Sequence, residues 1–101
     1  MSKLPPIESD GQIVGYFFDC PGCGMAHAPY IRPHKNEVGA SWTFNGDLDK
    51  PTFIPSILAK VERTDDKVMV CHSFVTDGKI QFLGDCTHAL AGQTVDIPEQ
   101  N

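Results

Sequence analysis

The chain has 101 residues, 41% of them hydrophobic, which suits one small domain whose modest core commonly needs a staple. Its 13 acidic and 8 basic residues give a net charge of −5, so no excess of positive charge is available for phosphates, and nucleic acid is excluded as an expected partner. No charged-then-apolar leader opens the sequence and no apolar run is long enough to span a bilayer, so the expectation is a soluble, cytoplasmic protein with no membrane partner. In that reducing compartment its 4 cysteines are more readily ligands or thiols than disulfides.

In chain order, residues 1–11 are polar and Pro-containing and predict a flexible arm. A single domain over 12–98 and a polar tail over 99–101 complete the expected organisation. Gln12 to Asp19 reads as a strand running into Cys20-Pro21-Gly22-Cys23-Gly24. This tight turn has the shape of a zinc knuckle, in which two intervening residues and the glycines let both sulfurs turn toward one ion. A thioredoxin-like redox pair would need a helix opening at the first cysteine, and Pro29 and Pro33 leave no room for one.

Ala28 to Lys35 is an extended, Pro-broken segment, and Gly39 to Asn45 reads as a second strand closed by Asn45-Gly46. Pro51 and Pro55 stand four apart, a spacing that excludes a helix and any central strand, so Ser56 enters the next strand, to Arg63, from a stiff approach. Thr64-Asp65-Asp66 predicts a turn, after which Lys67 starts a hairpin.

That hairpin is the strongest local signal. Two apolar runs rich in β-branched and aromatic residues flank Asp77-Gly78, a pair suited to the two-residue turn whose central residues both need positive φ. Counting outward pairs Thr76 with Lys79, Val75 with Ile80, Phe74 with Gln81, His72 with Leu83 and Cys71 with Gly84. Side chains alternate between faces, so Cys71 and Cys86 project from one face and His72 and Asp85 from the other. A three-residue loop would slip the register by one and undo both pairings. Beyond Cys86, Thr87 to Ala91 predicts one or two helical turns stopped at Gly92, and Gln93 to Ile97 a last short strand.

The fold class that follows is mainly β: a small zinc-stabilised antiparallel domain of five to seven strands, with a zinc-ribbon-like knuckle, a central hairpin and one short C-terminal helix. The expected metal ligands are Cys20, Cys23, Cys71 and Cys86, two thiolates from each of two separated loci, holding a structural zinc closed to water. His27, four residues past the knuckle, and His88, two past Cys86, compete for the same role.

Cys-Pro-Gly-Cys-Gly, Trp-Thr-Phe-Asn-Gly, Pro-Thr-Phe-Ile-Pro-Ser-Ile, Cys-His-Ser-Phe-Val-x-Asp-Gly-x-Ile-x-Phe-Leu and Asp-Cys-Thr-His-Ala-Leu-Ala-Gly-Gln-Thr-Val resemble the small phage and prophage proteins related to the BubE family. The likeness runs over roughly residues 14 to 98. It implies a zinc-containing serine peptidase of a bacterial ubiquitin-like conjugation system, working in the bacterial host cytoplasm on a protein or peptide tail. The serine of the Pro-Ser-Ile step and the histidine six residues before the hairpin glycine, here Ser56 and His72, would be its catalytic residues. The family pattern often has Ser-His-Phe where this chain has Cys71-His72-Ser73.

Read from the residues alone, a serine nucleophile needs a base within hydrogen-bond reach and a third group to orient that base. The hairpin supplies His72 with Asp85 on its face. Counting about the Thr64-Asp65-Asp66 turn does not bring Ser56 level with His72, so a bulge or bend in the Ser56 strand is required. Without the resemblance the plainer reading is a serine opening a strand and a histidine half-buried beside Phe74. Three function classes are therefore expected: a Ser/His peptidase with structural zinc, a non-catalytic zinc-binding protein-interaction module, and a zinc-dependent hydrolase with an open coordination position.

Overall fold

The structure is a computed structural model and describes residues 4–62 and 68–98. The predicted Thr64-Asp65-Asp66 turn, the hairpin start at Lys67, residues 1–3 of the expected arm and the 99–101 tail lie outside the described residues. The described strands are β1 (Pro6–Ser9), β2 (Gln12–Tyr16), β3 (Phe18–Asp19), β4 (Ala26–His27), β5 (Thr43–Phe44), β6 (Phe53–Glu62), β7 (Val68–Thr76), β8 (Lys79–Phe82) and β9 (Thr94–Asp96). They form two small hairpins, β1-β2 and β3-β4, and one five-stranded sheet in the order β5-β6-β7-β8-β9, with every adjacent pair antiparallel.

The β7-β8 hairpin has the register that its turn dictates: Thr76 faces Lys79, Val75 faces Ile80 and Phe74 faces Gln81. Asp77 and Gly78 carry φ of 50° and 76°, the left-handed geometry of a two-residue turn that twists with its strands. The turn is tied down on two sides. Asp77 N–H donates to Thr52 Oγ1 (2.9 Å), Gly78 N–H donates to Pro51 O (2.9 Å), and Ile97 N–H donates to Gly78 O (2.9 Å). A Cβ on residue 78 would stand 3.1 Å from Lys50 Cα, so close approach and backbone angle both require glycine there.

The ladder of this hairpin ends at Ser73 and Phe82, one pair short of the expected His72–Leu83 and two short of Cys71–Gly84. Leu83 N–H still donates to His72 O (2.9 Å), but the chain then turns at Gly84-Asp85 and rejoins β7 where Thr87 N–H donates to Val70 O (3.0 Å). The loop from Leu83 to Cys86 therefore lies against Cys71 and His72.

Strand β6 is central, between β5 and β7, although it contains Pro55. Its pairing with β7 shifts between Phe53↔Val75 and Ile57↔Ser73, and this bulge is where proline, lacking an N–H, is tolerated. Pro55 thus marks a bulge inside the strand, while Pro51 lies two residues before the strand begins.

The arm expected over residues 1–11 is in its described part a strand with a buried end. Asp10-Gly11, with φ of 52° and 78°, makes a tight turn that folds Pro6–Ser9 onto β2, and Leu4 is 1% exposed. The strand expected from Gly39 shrinks to Thr43–Phe44. The Asn36 side chain accepts from the N–H groups of Val38 and Ala40, bending the chain there, and Trp42 forms a single parallel bridge with Ile31.

Among the described residues there is no helix, so the short helix expected after Cys86 is absent. The reason is in its hydrogen bonds. Ala91 and Gln93 N–H groups donate three residues back, to His88 O and Leu90 O, while Gly92 N–H donates to Phe82 O in β8. Successive turns tied to the sheet replace a helix too short to offset its own nucleation.

The core lies on one face of the large sheet, where Phe53, Ile57, Cys71, Val75, Ile80 and Phe82 pack with Leu4, Phe18, Cys20, Cys86 and Ile97. Each fully buried phenylalanine contributes roughly 1.5–3 kcal/mol relative to exposure. The opposite face of β6 and β7, carrying Ser56, Leu58, His72 and Phe74, is open to solvent or half-exposed.

Candidate active site and metal centre

The two faces of β7 carry two different chemistries. Cys71, facing the core, is fully buried; His72, the next residue, faces the open side and is only partly covered. Leu58 is directly opposite His72, so Ser56, two residues earlier in β6, is its diagonal neighbour on the same face. The pairing from Glu62↔Val68 to Ile57↔Ser73 runs without a shift, so this diagonal comes from regular register, and the irregularity of β6 lies between Phe53 and Ile57.

On that open face Ser56 Oγ is 3.0 Å from His72 Nε2, and His72 Nδ1 is 3.1 Å from Asp85 Oδ2. An ionised carboxylate only accepts, so Nδ1–H donates to Asp85 and Nε2 is left as acceptor for the Ser56 hydroxyl, a tautomer assigned from the network. Trp42 Nε1–H donates to Ser56 O (3.3 Å), tying the serine backbone to the segment before β5. Chemically, the line Ser56–His72–Asp85 is a hydroxyl, an acceptor nitrogen that can take its proton, and a carboxylate that fixes the ring.

Cys86 holds this arrangement from below. The His72 N–H donates to Cys86 Sγ (3.2 Å), and the Cys86 thiol donates back to His72 O (3.1 Å), so one sulfur clamps the backbone of the residue that carries the imidazole.

On the core face the sequence-predicted cysteines divide. Cys20, Cys23 and Cys71 come together with His27, their donor atoms all within 4.8 Å of one another, and these four could hold a metal ion. Cys20 Sγ and Cys71 Sγ are 3.8 Å apart, and His27 Nε2 is 3.5 Å from both Cys23 Sγ and Cys71 Sγ. Cys86, expected as the fourth thiolate, lies outside this group; it groups instead with Cys71 and His88, within the same 4.8 Å limit. His27, one of the two competing histidines, takes its place because β4 pairs Phe18 with His27 and so turns the imidazole back over the knuckle. Strand pairing of so short a segment leaves little trace in the sequence; the signal was the four-residue step from Cys23 to His27.

The knuckle is closed locally by Gly24 N–H donating to Cys20 O (3.0 Å) and Cys20 N–H donating to Met25 O (2.9 Å). Burial, together with the neighbouring Cys20 and Cys23, pushes the Cys71 thiol far up, and burial raises Cys20 as well. Burial pushes His27 down, with His88 adding to the effect, which keeps the imidazole neutral as a ligand must be. His88 lies over Gly22: a Cβ there would meet its ring carbon at 2.4 Å, so the knuckle glycine is the floor on which this ring rests. Leu90 N–H donates to His88 Nδ1 (3.2 Å), and the ring meets Phe82 edge-on at 4.6 Å.

A protein-family model described as "Bacterial ubiquitination-like system serine protease (BubE)" matches residues 4–83. The chain belongs to the BubE family. That match contains Ser56, His72 and the Cys20–His27 knuckle, and it stops two residues before Asp85. No curated protein and no solved structure matches the chain. Family membership carries a protease-like role in a bacterial ubiquitination-like system, for which a protein partner is expected.

Proposed function

We propose that this BubE-family protein is a serine peptidase that cleaves an extended C-terminal tail of a ubiquitin-like or related protein. The observation that carries the reading is the unbroken line from Ser56 Oγ to His72 Nε2 (3.0 Å) and from His72 Nδ1 to Asp85 Oδ2 (3.1 Å) on an open sheet face. His72 accepts the Ser56 proton as Oγ attacks the scissile carbonyl, forming the Oγ–C bond. It then delivers that proton to the departing amine as the C–N bond breaks. Water, deprotonated by His72, releases the acyl group and restores the serine hydroxyl. Asp85 holds the ring in the tautomer that leaves Nε2 free and offsets the positive charge that develops on it.

The metal is proposed to be a structural zinc held by Cys20, Cys23, His27 and Cys71. A tetrahedral zinc with sulfur near 2.3 Å and nitrogen near 2.1 Å sets its ligand atoms about 3.6–3.8 Å apart. The separations of 3.8, 3.5 and 3.5 Å match that figure. Four protein donors leave no position for a reactive water, which disfavours a zinc-dependent hydrolase. When bound, the ion would contribute folding free energy and relieve the crowding of two buried thiols and the half-buried Cys23.

The test is reaction of the full chain with a fluorophosphonate probe, followed by mass mapping. Modification at Ser56, lost in His72→Ala, is expected. An unmodified Ser56 under conditions that label a known serine peptidase would sink the peptidase reading and leave the non-catalytic binding module.

A further inference from the structure

Around Ser56 and His72 the open face of the sheet is apolar. Leu58 is opposite His72 and 50% exposed; Phe74, two residues along β7, is 42% exposed. Single exposed apolar side chains are ordinary, but two flanking one hydroxyl–imidazole pair on one sheet face are not scattered. Beside them runs an available backbone. Strand β5 pairs only with Phe53 and Ile54, so from Ile57 to Glu62 the side of β6 away from β7 has no strand partner among the described residues.

We infer that Leu58 and Phe74 form the specificity surface of this site and take a bulky apolar side chain from a residue within two positions of the scissile bond. This rests on the peptidase reading and names the substrate class for it: an extended peptide carrying leucine-like residues next to the cleaved bond. The reasoning is one of position. A carbonyl carbon brought to Ser56 Oγ drags its flanking residues across the same few ångströms of sheet. A peptide added along the free edge of β6 turns every second side chain to the outer face, beside Leu58. Water expelled between those apolar surfaces favours binding in proportion to the area covered.

The experiment uses a fluorogenic peptide series in which each of two positions on either side of the cleaved bond is leucine or alanine. The zinc-loaded full chain is compared with the variants Leu58→Thr and Phe74→Thr. Threonine suits an exposed strand position, and each variant's metal content and melting transition are checked before use. Leucine is expected to raise kcat/KM by about tenfold over alanine in at least one position, with that gain falling to within about threefold in one or both variants. Equal rates for leucine and alanine at every position, or a leucine gain kept in both variants, would overturn the specificity surface while Ser56 labelling stands. Failure of the fluorophosphonate to modify Ser56 would remove the peptidase reading and this surface with it.

Discussion

Cys71 and His72 are adjacent on β7 and face opposite sides of one sheet, the thiol 3.5 Å from His27 in the buried cluster and the imidazole 3.0 Å from Ser56 on the open face. The alternation of a single strand thus joins a candidate metal centre to a candidate active site through one peptide unit. Whatever fixes the position of Cys71 also fixes where the His72 ring begins.

Replacing either end of the Ser56–His72 contact should abolish turnover. Ser56→Ala and His72→Ala are each expected to lower kcat/KM for a tail substrate by on the order of 10⁴-fold or more, with zinc content unchanged. Asp85→Asn should cost less, because it mis-sets the ring tautomer but leaves the hydroxyl and base in contact. Steady-state kinetics alongside metal analysis checks all three, and a Ser56→Ala protein that still turns over, but stops at once on brief chelation, would move the chemistry to the metal.

The purified protein should carry about one zinc per chain, and the cysteines should fall into two groups on substitution. Cys20→Ser, Cys23→Ser or Cys71→Ser is expected to lose the ion and, with it, a large part of the domain's stability, because the binding energy of a structural zinc in a small domain is folding energy. Cys86→Ala should keep the ion. It loses two hydrogen bonds to the His72 backbone, a stability cost of about 1–3 kcal/mol, and should lower activity by loosening His72. Metal content and thermal melts of the four variants settle the grouping; loss of zinc in Cys86→Ala would return that residue to the ligand set.

Acid should weaken the metal-free fold through His27. Burial holds its imidazole below the ordinary range, so the folded state resists a proton that the unfolded chain takes up near pH 6.5. The unfolded state therefore binds more protons below that pH, and stability should fall as pH drops through about 6.5, by up to about 1.4 kcal/mol per unit, until the lowered native value is reached. Above about pH 7 this group contributes no slope. Urea unfolding of the apoprotein from about pH 7.5 to 5 tests it, with His27→Gln expected to flatten the profile.

Gly22→Ala should be costly out of proportion to one methyl group. The new Cβ meets the His88 ring at 2.4–2.9 Å, and that ring is held by Leu90 N–H and by the edge of Phe82. A penalty of about 1–3 kcal/mol is expected, with His88→Ala in the same chain restoring part of it. Chemical denaturation of the single and double variants measures the coupling.

What the sequence made legible follows from where local rules apply. Asp77-Gly78 fixed a register and the register fixed parity, which put Cys71 and His72 on opposite faces; Asp85 meets His72 from the turn after the ladder, where strand alternation no longer applies. Parity gives a face and not a position along it. Cys86 shares a face with Cys71, but the ladder has already ended at Phe82, and the loop turns its sulfur onto the His72 backbone instead. His27 reaches the cluster through a two-residue strand pairing that no propensity announces. The Ser56 contact follows from the unshifted register of β6 on β7, and Pro55, expected to exclude a central strand, sits in the bulge between Phe53 and Ile57. The helix expected after Cys86 failed because tertiary bonds to β8 outcompeted a segment of only a few residues.

Hairpin tips are ordinarily where chains tolerate insertions, tags and new termini. The tip at Asp77-Gly78 is bonded both to the segment entering β6 and to the residue just past β9, so opening it would release three connections to two distant parts of the chain at once. A circular permutant or epitope tag placed there should fail to fold. Val38, 86% exposed in a bend shaped by its own Asn36 side chain, is where an engineer should cut instead.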